Sequence, residues 1–430
     1  MDARAGLRIV FIIAGAPILL ANAASPATHV VRPDGNGDYP TIQQAIDACA
    51  DGDIVELTDG TFLGDGNRDV DFLGKAIAVR SAGGTPASCM VDCQGSASEP
   101  HRGFIFQSGE GTESMLEGIT ITHGHAPDSL EYDGGGVYCY SSSPTISRCI
   151  LAENSAGQGG GIYGIFASPR ISDCTFSNNM AYSAGGGACF FGSANPSITD
   201  SRFLANTANN TGGALASSYS SSTTLTRCVL AGNSGGSGGA GGGGAISANA
   251  SASITVAHCT IAGNWARVTG GAALCSSFST ITMEYCTVAA NYSSDWGGGI
   301  ACIFDASLNL SHSILWGNCS VRGEAQAQLG AGSESLFTFQ CCAVDSSGVG
   351  GGGGNVAWLD GNVFEDPRFC LPGSCEGAPS ISGDYSLHED SPCAPANAGD
   401  CMHIGAEPVT CSGNAIAPAT WGEIKASFRR

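Results

Sequence analysis

Between residues 146 and 318 the apolar positions follow neither the 3.6-residue period of a helix nor the plain alternation of a long strand. They recur inside a nine-residue phrase, apolar-x-x-(Cys/Ser)-x-apolar-x-x-Asn. Seven copies follow one another, ending at Asn154, Asn179, Asn206, Asn233, Asn264, Asn291 and Asn318, in steps of 25 to 31 residues and mostly 27. Degenerate copies flank them at residues 116–124 and 339–347. The central position is cysteine at Cys149, Cys174, Cys228, Cys259 and Cys286, and serine at Ser201 and Ser313. After most Asn positions comes a glycine pair and an apolar residue, as in Gly159-Gly160-Gly161-Ile162 and Gly212-Gly213-Ala214-Leu215.

One copy dictates short strands and tight corners. The cysteine and the next apolar residue are two apart, so they share a strand face while the residue between them points outward. Asn tolerates left-handed backbone angles and suits a sharp corner. The glycine pair supplies a second corner with no Cβ to clash. Two or three short strands per repeat, without helical periodicity, predict one coil of a parallel β-helix. Stacked at about 4.8 Å per coil, roughly 12 to 15 coils would make a rod about 60–70 Å long. Each Asn then lies over the Asn of the next coil as an amide ladder. The cysteine column reads as small buried residues, since serine replaces it twice, although adjacent coils also bring Cα atoms within disulfide range. A second column holds Cys139, Cys189, Cys275 and Cys302.

This pattern changes the meaning of the composition. Glycine, at 64 of 430 residues, would weaken helices by about 1 kcal/mol per interior position. Here much of it recurs in register as corner residues. The net charge of −21 argues against a nucleic-acid partner, which would need a basic face. That charge belongs to the ends: −12 over residues 24–150 and −8 over 319–430, but only −2 over 151–318. Arg4 and Arg8, the apolar run at residues 9–20, and Ala21-Asn22-Ala23 read as a signal peptide cleaved after Ala23. Export to a secreted or outer-membrane-surface location is therefore expected, where the 20 cysteines can form disulfides. No later stretch is long and apolar enough for a transmembrane helix.

Gly212 to Leu215, with the phrases Phe176 to Asn179 and Phe203 to Asn206, resembles the repeats of chlamydial-type polymorphic outer-membrane proteins over residues 134–318. That resemblance implies a surface adhesin. The about 110 residues after the array show no run of alternating strands, so the autotransporter barrel of that family is not expected. Upstream, Pro33-Asp34-Gly35-Asn36-Gly37-Asp38-Tyr39-Pro40-Thr41-Ile42-Gln43-Gln44-Ala45-Ile46 and Gly52-Asp53-Ile54-Val55-Glu56-Leu57 resemble the opening of the pectin-lyase-like superfamily. This implies an all-β fold, a single right-handed parallel β-helix with a short N-terminal capping helix and a loop-rich C-terminal end. Physically, Thr41 can cap a helix whose Ile42, Ala45, Ile46 and Cys49 face inward and blunt the open first coil. The expected organisation is a signal peptide at 1–23, cap and first coils at 24–115, and the array at 116–347. Last coils with a Cys-rich region follow at 348–411, then a tail at 412–430 whose Thr420-Trp421-Gly422-Glu423 capping box predicts a short helix.

Candidate chemistry is sparse. Lyases on this fold typically use an Arg or Lys base with carboxylates that hold Ca²⁺, yet the array has six scattered carboxylates and no repeated pair. The best polar constellation is His101, Arg102, Glu117, His123, His125, Asp128, Glu131 and Asp133, because residues about one coil apart can lie side by side. Its catalytic candidates are His101, Arg102 and His123. Asp65, Asn67, Asp69 and Asp71 have the oxygen spacing of a calcium loop but lack its glycine, at Val70, and its final glutamate, at Ala76. Calcium is thus the one cofactor the sequence raises. Trp265 and Trp296 follow Asn corners and could align as sugar-stacking platforms. Disulfides are expected among Cys89/Cys93, Cys370/Cys375 and Cys393, Cys401 and Cys411, in loop-rich sequence. The function these features imply is an extended surface for adhesion, structure or glycan binding, with polysaccharide or cell-surface glycan as partner. The alternative is a polysaccharide lyase or related carbohydrate-active enzyme.

Overall fold

Each nine-residue phrase folds as two short strands and two corners. In the computed structural model, which describes residues 25–127, 133–236, 241–323, 327–332, 334–350 and 354–411, one coil reads as follows. Ile162–Ile165 forms a first face, Arg170–Ser172 a second, Thr175–Ser177 a third, and Met180–Ala181 a short fourth. Equivalent strands of successive coils pair in parallel, so the second face is a 13-stranded sheet, the first and third are 11-stranded and the fourth is 7-stranded. The protein is an all-β parallel solenoid. The expected signal peptide and C-terminal helix lie outside the described residues.

The repeat phrase is inward-facing: Ile171, Cys174, Phe176 and Asn179 are all at most 1% exposed. Rings stack along the axis where they recur, as Phe176 on Phe203 at 4.4 Å and 2°. Such contacts add about 0.5–1.5 kcal/mol beyond burial.

The corners differ from the sequence expectation in one respect. The left-handed residue is not the Asn but the one before it: Glu153, Asn178, Ala205 and Ala290 have φ between 53° and 59°. What the Asn contributes is its side chain. Asn179 Oδ1 accepts from both the backbone N–H and Nδ2 of Asn154, each at 3.1 Å, while Asn179 Nδ2 donates to Leu151 O at 2.8 Å. The pattern repeats down to Asn318, which donates to Gln328 Oε1 at 2.7 Å. A column of buried amides thereby satisfies corner groups that no strand ladder reaches.

The Cys/Ser column works the same way. The Cys149 N–H bonds the Cys174 sulfur at 3.4 Å, and the Cys174 N–H bonds Ser201 Oγ at 3.1 Å. The thiol or hydroxyl donates back to the carbonyl two residues earlier, at 3.2 Å for Cys174 and 2.7 Å for Ser201. Sulfur and oxygen interchange because both accept and donate here. At the glycine pairs the first residue takes positive φ, 60° at Gly159. At the second, a Cβ on Gly160 would sit 2.5 Å from Met180 O.

The helix Ile42–Ala48 is capped by the Thr41 hydroxyl and buries Ile42, Ala45 and Ile46 against the first coils. Lys75 Nζ donates to Ile46 O, Asp47 O and Cys49 O at 2.7–2.9 Å, so this lysine ties down the carbonyls at the helix end.

The C-terminal region departs most from the expected course. After Asn355–Trp358 the chain turns back along the outside of the third face. Phe369–Leu371, Asp384–His388 and Val409–Cys411 form a small sheet of their own. This strap packs Tyr385 on Ala262, Ala289 and Ala290, and Leu387, Cys393, Cys401 and Ile404 on Ile314 and Ala343. Three disulfides fasten it: Cys319–Cys375, Cys341–Cys401 and Cys370–Cys411. The expected bridging of Cys370, Cys375, Cys401 and Cys411 is found, with Cys370 and Cys411 joined to each other and Cys375 and Cys401 joined to Cys319 and Cys341, which the sequence does not single out. Cys89, Cys93 and Cys393 are corrected to buried free thiols.

Candidate functional site

The early polar constellation does come together in the backbone. The His125 N–H donates to His101 O at 2.7 Å, so these two residues sit on neighbouring turns. Their side chains, however, are tied to separate partners. His101 Nδ1 meets Asp69 Oδ2 at 2.6 Å, and the other Asp69 oxygen accepts the Arg102 backbone N–H at 2.7 Å. The Arg102 guanidinium donates to Asp133 O at 3.1 Å and lies 5.0 Å over the Tyr138 ring. His123 bridges Asp92 at 3.0 Å and Glu153 at 3.2 Å. His125 bonds Ser155 Oγ at 2.7 Å, and burial lowers its pKa. Glu117 pairs with Arg148. Asp128 and Glu131 lie outside the described residues. The shelf is a set of inter-coil ties, not a convergent base and acid.

The four residues with calcium-loop spacing are bonded to protein partners. Asp65 binds Arg68, Asn67 accepts the Ile42 N–H and donates to Leu63 O, and Asp71 accepts from the Leu73 N–H and Gln107. Val70, where a calcium loop has glycine, is fully buried and pins the chain to the core. Asp69 in turn holds His101 and the Arg102 N–H, so each of the four side chains is engaged by its own protein partners. Trp265 and Trp296 do not align either: Trp265 pairs with Ser234 and Tyr292, whereas Trp296 pairs with Thr269.

Aromatic side chains do form a line elsewhere, at the corner between the first and second faces. Tyr140, Phe166, Phe191 and Tyr219 come from four consecutive coils, through the parallel pairings Tyr140↔Ile165, Ile165↔Phe191 and Phe191↔Ser218. Phe166 and Tyr219 each stand one residue past those pairs and are 55% and 57% exposed. The rings touch: Tyr140 meets Phe166 edge-on at 6.3 Å, Phe191 meets Tyr219 at 4.3 Å, and Phe166 lies across Gly192, where a Cβ would come within 2.6 Å of it. The next coil has Asn249, Ala250 and Ser251 at this corner, and the ridge resumes with exposed Phe278 and Phe304.

A second feature lies under the strap. Three adjoining clefts of about 440, 230 and 290 Å³ run between it and the third face. Arg227, His258, Thr260 and Glu407 line one end, and Trp316, Arg368 and Tyr385 the other. The His258, Tyr285 and His312 rings stack at 5.0 and 4.7 Å along the adjacent corner. Glu407 accepts from Thr260 at 2.6 Å, and Arg227 is paired with Asp200. Burial pushes the Tyr385 phenol up to about 12.

Residues 92–203 and 167–364 match the family described as right handed beta helix region. The chain belongs to that family. No curated protein matches it. Among solved structures, this β-helix chain is similar to pectate lyase Pel9A at 14% identity and a TM-score of 0.44, over 86% of this chain and 92% of that one. It is similar to pectin methylesterase from carrot at 12% and 0.30, over 78% and 89%. The catalytic domain of GH87 α-1,3-glucanase in complex with nigerose aligns at 13% and 0.32, over 75% and 67%. At such identities no activity carries over.

Sequence reasoning missed the aromatic ridge of this β-helix, although a signal existed. Each ring lies four to seven residues past a glycine pair, in the stretch where strand spacing is least regular.

Proposed function

We propose that this protein is an exported β-helix that binds a linear, neutral glycan along its aromatic corner, acting as an adhesive or surface-presenting protein. The ridge of Tyr140, Phe166, Phe191 and Tyr219 is the observation that carries the reading. Soluble proteins seldom leave a contiguous row of aromatic rings open to water unless something covers it. Rings contributed one per coil, 6.3 Å apart edge-on at Tyr140 and Phe166 and 4.3 Å apart at Phe191 and Tyr219, offer apolar surface to successive sugar rings. The ridge stands in the near-neutral part of a chain with net charge −21, so a polyuronate would be repelled as a whole where a neutral polymer would not. Three disulfides support an oxidising, extracellular setting. The likeness to adhesin repeats, Gly212 to Leu215 among them, fits the same reading.

Affinity electrophoresis through gels holding neutral or acidic polysaccharides tests it. Retardation by a neutral glycan is expected, weakened about 3- to 10-fold by each of Phe166→Ala and Tyr219→Ala. Ultraviolet absorbance from unsaturated products should stay flat. Rising absorbance on an acidic polysaccharide would instead establish the lyase, and retardation untouched by both variants would remove the ridge from the account.

A further inference from the structure

At the opposite end from the strap, three residues with metal-binding side chains meet at one corner. His29 is on the first strand, Thr28–Val31; Cys49 ends the helix Ile42–Ala48; Asp53 directly precedes the second strand, Ile54–Leu57. One donor atom from each, imidazole nitrogen, sulfur and carboxylate oxygen, lies within 4.8 Å of the other two. Among the described residues no other group of three His, Cys, Asp or Glu side chains converges so closely.

The chain builds this corner deliberately. The turn from Cys49 to Asp53 closes through the Asp53 N–H to Ala50 O, with Gly52 at φ 92°, and folds the carboxylate back towards the thiol. Asp53 is then held by the Ala27 N–H at 2.7 Å and the Ala50 N–H at 2.8 Å. The His29 ring packs edge-on against Tyr39 at 5.3 Å, which leaves Nε2 facing Asp53 Oδ2 at 3.4 Å. Cys49 is fixed through its backbone: its N–H bonds Ala45 O and Ile46 O, and its carbonyl accepts from Lys75. Its sulfur is buried and unbridged.

We propose that His29 Nε2, Cys49 Sγ and Asp53 Oδ2 form a binding site for a zinc-class divalent cation. Zinc takes His, Cys and carboxylate ligands at about 2.0–2.3 Å in a tetrahedron, which places ligand atoms about 3.3–3.6 Å apart. The His29–Asp53 edge already has that length, and the sulfur needs to close by little more than an ångström. A mixed nitrogen, sulfur and oxygen set favours zinc over calcium or magnesium, which prefer oxygen alone. On binding, the Cys49 S–H bond breaks, a sulfur–metal bond forms, and the proton leaves to solvent. Thiolate and carboxylate then balance the 2+ charge, and water completes the tetrahedron. The backbone hydrogen bonds to Asp53 orient it, as outer-shell partners do in known metal sites. The ion ties together the three elements that close the first coil.

The test uses Co²⁺ as a spectroscopic stand-in, titrated into the metal-stripped full-length chain with disulfides intact. One cobalt per chain is expected, with a thiolate-to-cobalt charge-transfer band, strong visible bands of a four-coordinate ion, and displacement of both by Zn²⁺. Cys49→Ser should lose the charge-transfer band. His29→Gln, at a partly buried position on the first strand, should weaken binding at least about 10-fold and serves if Cys49→Ser fails to fold by circular dichroism. No charge-transfer band in the wild type, weak six-coordinate bands only, or the same band in a folded Cys49→Ser would each overturn the proposal.

Discussion

Between residues 151 and 318 the described cysteines are all free thiols, the net charge is −2, and successive coils repeat the same parallel pairing and the same Asn-to-Asn bonds. Between residues 363 and 411 the chain forms a single three-stranded sheet, and all three disulfides end there. Both regions bury apolar side chains. The array does so on six or more neighbours in register, so each coil completes the one beneath it. The strap has no repeat to stack on. Its contacts join residues far apart in sequence, such as Thr260 with Glu407, and closing such loops is entropically unfavourable unless cross-links limit the unfolded chain. Periodic structure stabilises itself through its neighbours; a return segment needs covalent ties.

The sharpest way to break that contrast is to cut the ties. Removing Cys341–Cys401 as a paired Ala substitution opens a loop of 60 residues, worth about 4 kcal/mol in the loop-entropy account. The loss is expected in the strap alone. Limited proteolysis should cleave after about residue 363 while the array stays resistant, because its own ladders are untouched. Loss of the array's protection together with the strap would show that the two regions fold as one unit.

Asn206→Ala probes the other half. It leaves the Asn179 N–H, the Asn179 amide and Phe176 O without their present partners at a fully buried position. Unsatisfied buried groups cost about 1–3 kcal/mol each before relaxation, so about 3 kcal/mol in urea unfolding is expected. Asn206→Asp, which keeps the acceptors but not the donors, should also destabilise. An unchanged midpoint for both would mean the amide ladder is ornamental.

The array was legible because its chemistry is local and repeated. Ile171, Cys174, Phe176 and Asn179 announce strand, corner, strand and corner within nine residues. The right inference about Asn was reached for a partly wrong reason, since the left-handed angle falls on Asn178 and the side chain is what matters. The strap was not legible: nothing in Tyr385 or Leu387 says that they lie on Ala289 and Ile314. At Asp65 to Asp71 the spacing says nothing of the partners that engage these side chains, such as Arg68, His101 and Gln107, which come from the turn and from the next coil. The His29, Cys49 and Asp53 corner has no motif at all, because a helix and a turn bring it together.

Acid should separate the two regions more gently. His403 lies in the strap, and burial, with a smaller contribution from the nearby His258 charge, holds its pKa below the ordinary 6.5. The unfolded strap therefore binds the proton more readily than the folded one. Stability from this residue is present above about pH 6.5 and falls as pH drops through the folded value. Proteolysis of the strap should accelerate between neutral pH and pH 5 in the wild type, and less so in His403→Gln. Equal acceleration in both would assign the effect elsewhere.

The smallest expected effect asks whether the array's cysteines are core or ladder. Cys174 is fully buried, accepts the Cys149 N–H and donates to Ser172 O. If it were only an apolar filler, Cys174→Val would be the mild change and Cys174→Ser the harsh one. The neighbouring Ser201, which makes the same bonds one coil on, implies the reverse. Serine should cost about 1 kcal/mol or less. Valine, which can neither accept nor donate, should cost about 1–3 kcal/mol for the stranded N–H. Chemical unfolding of the two variants side by side decides the order, and valine above serine in stability would mean that the column is held by packing alone.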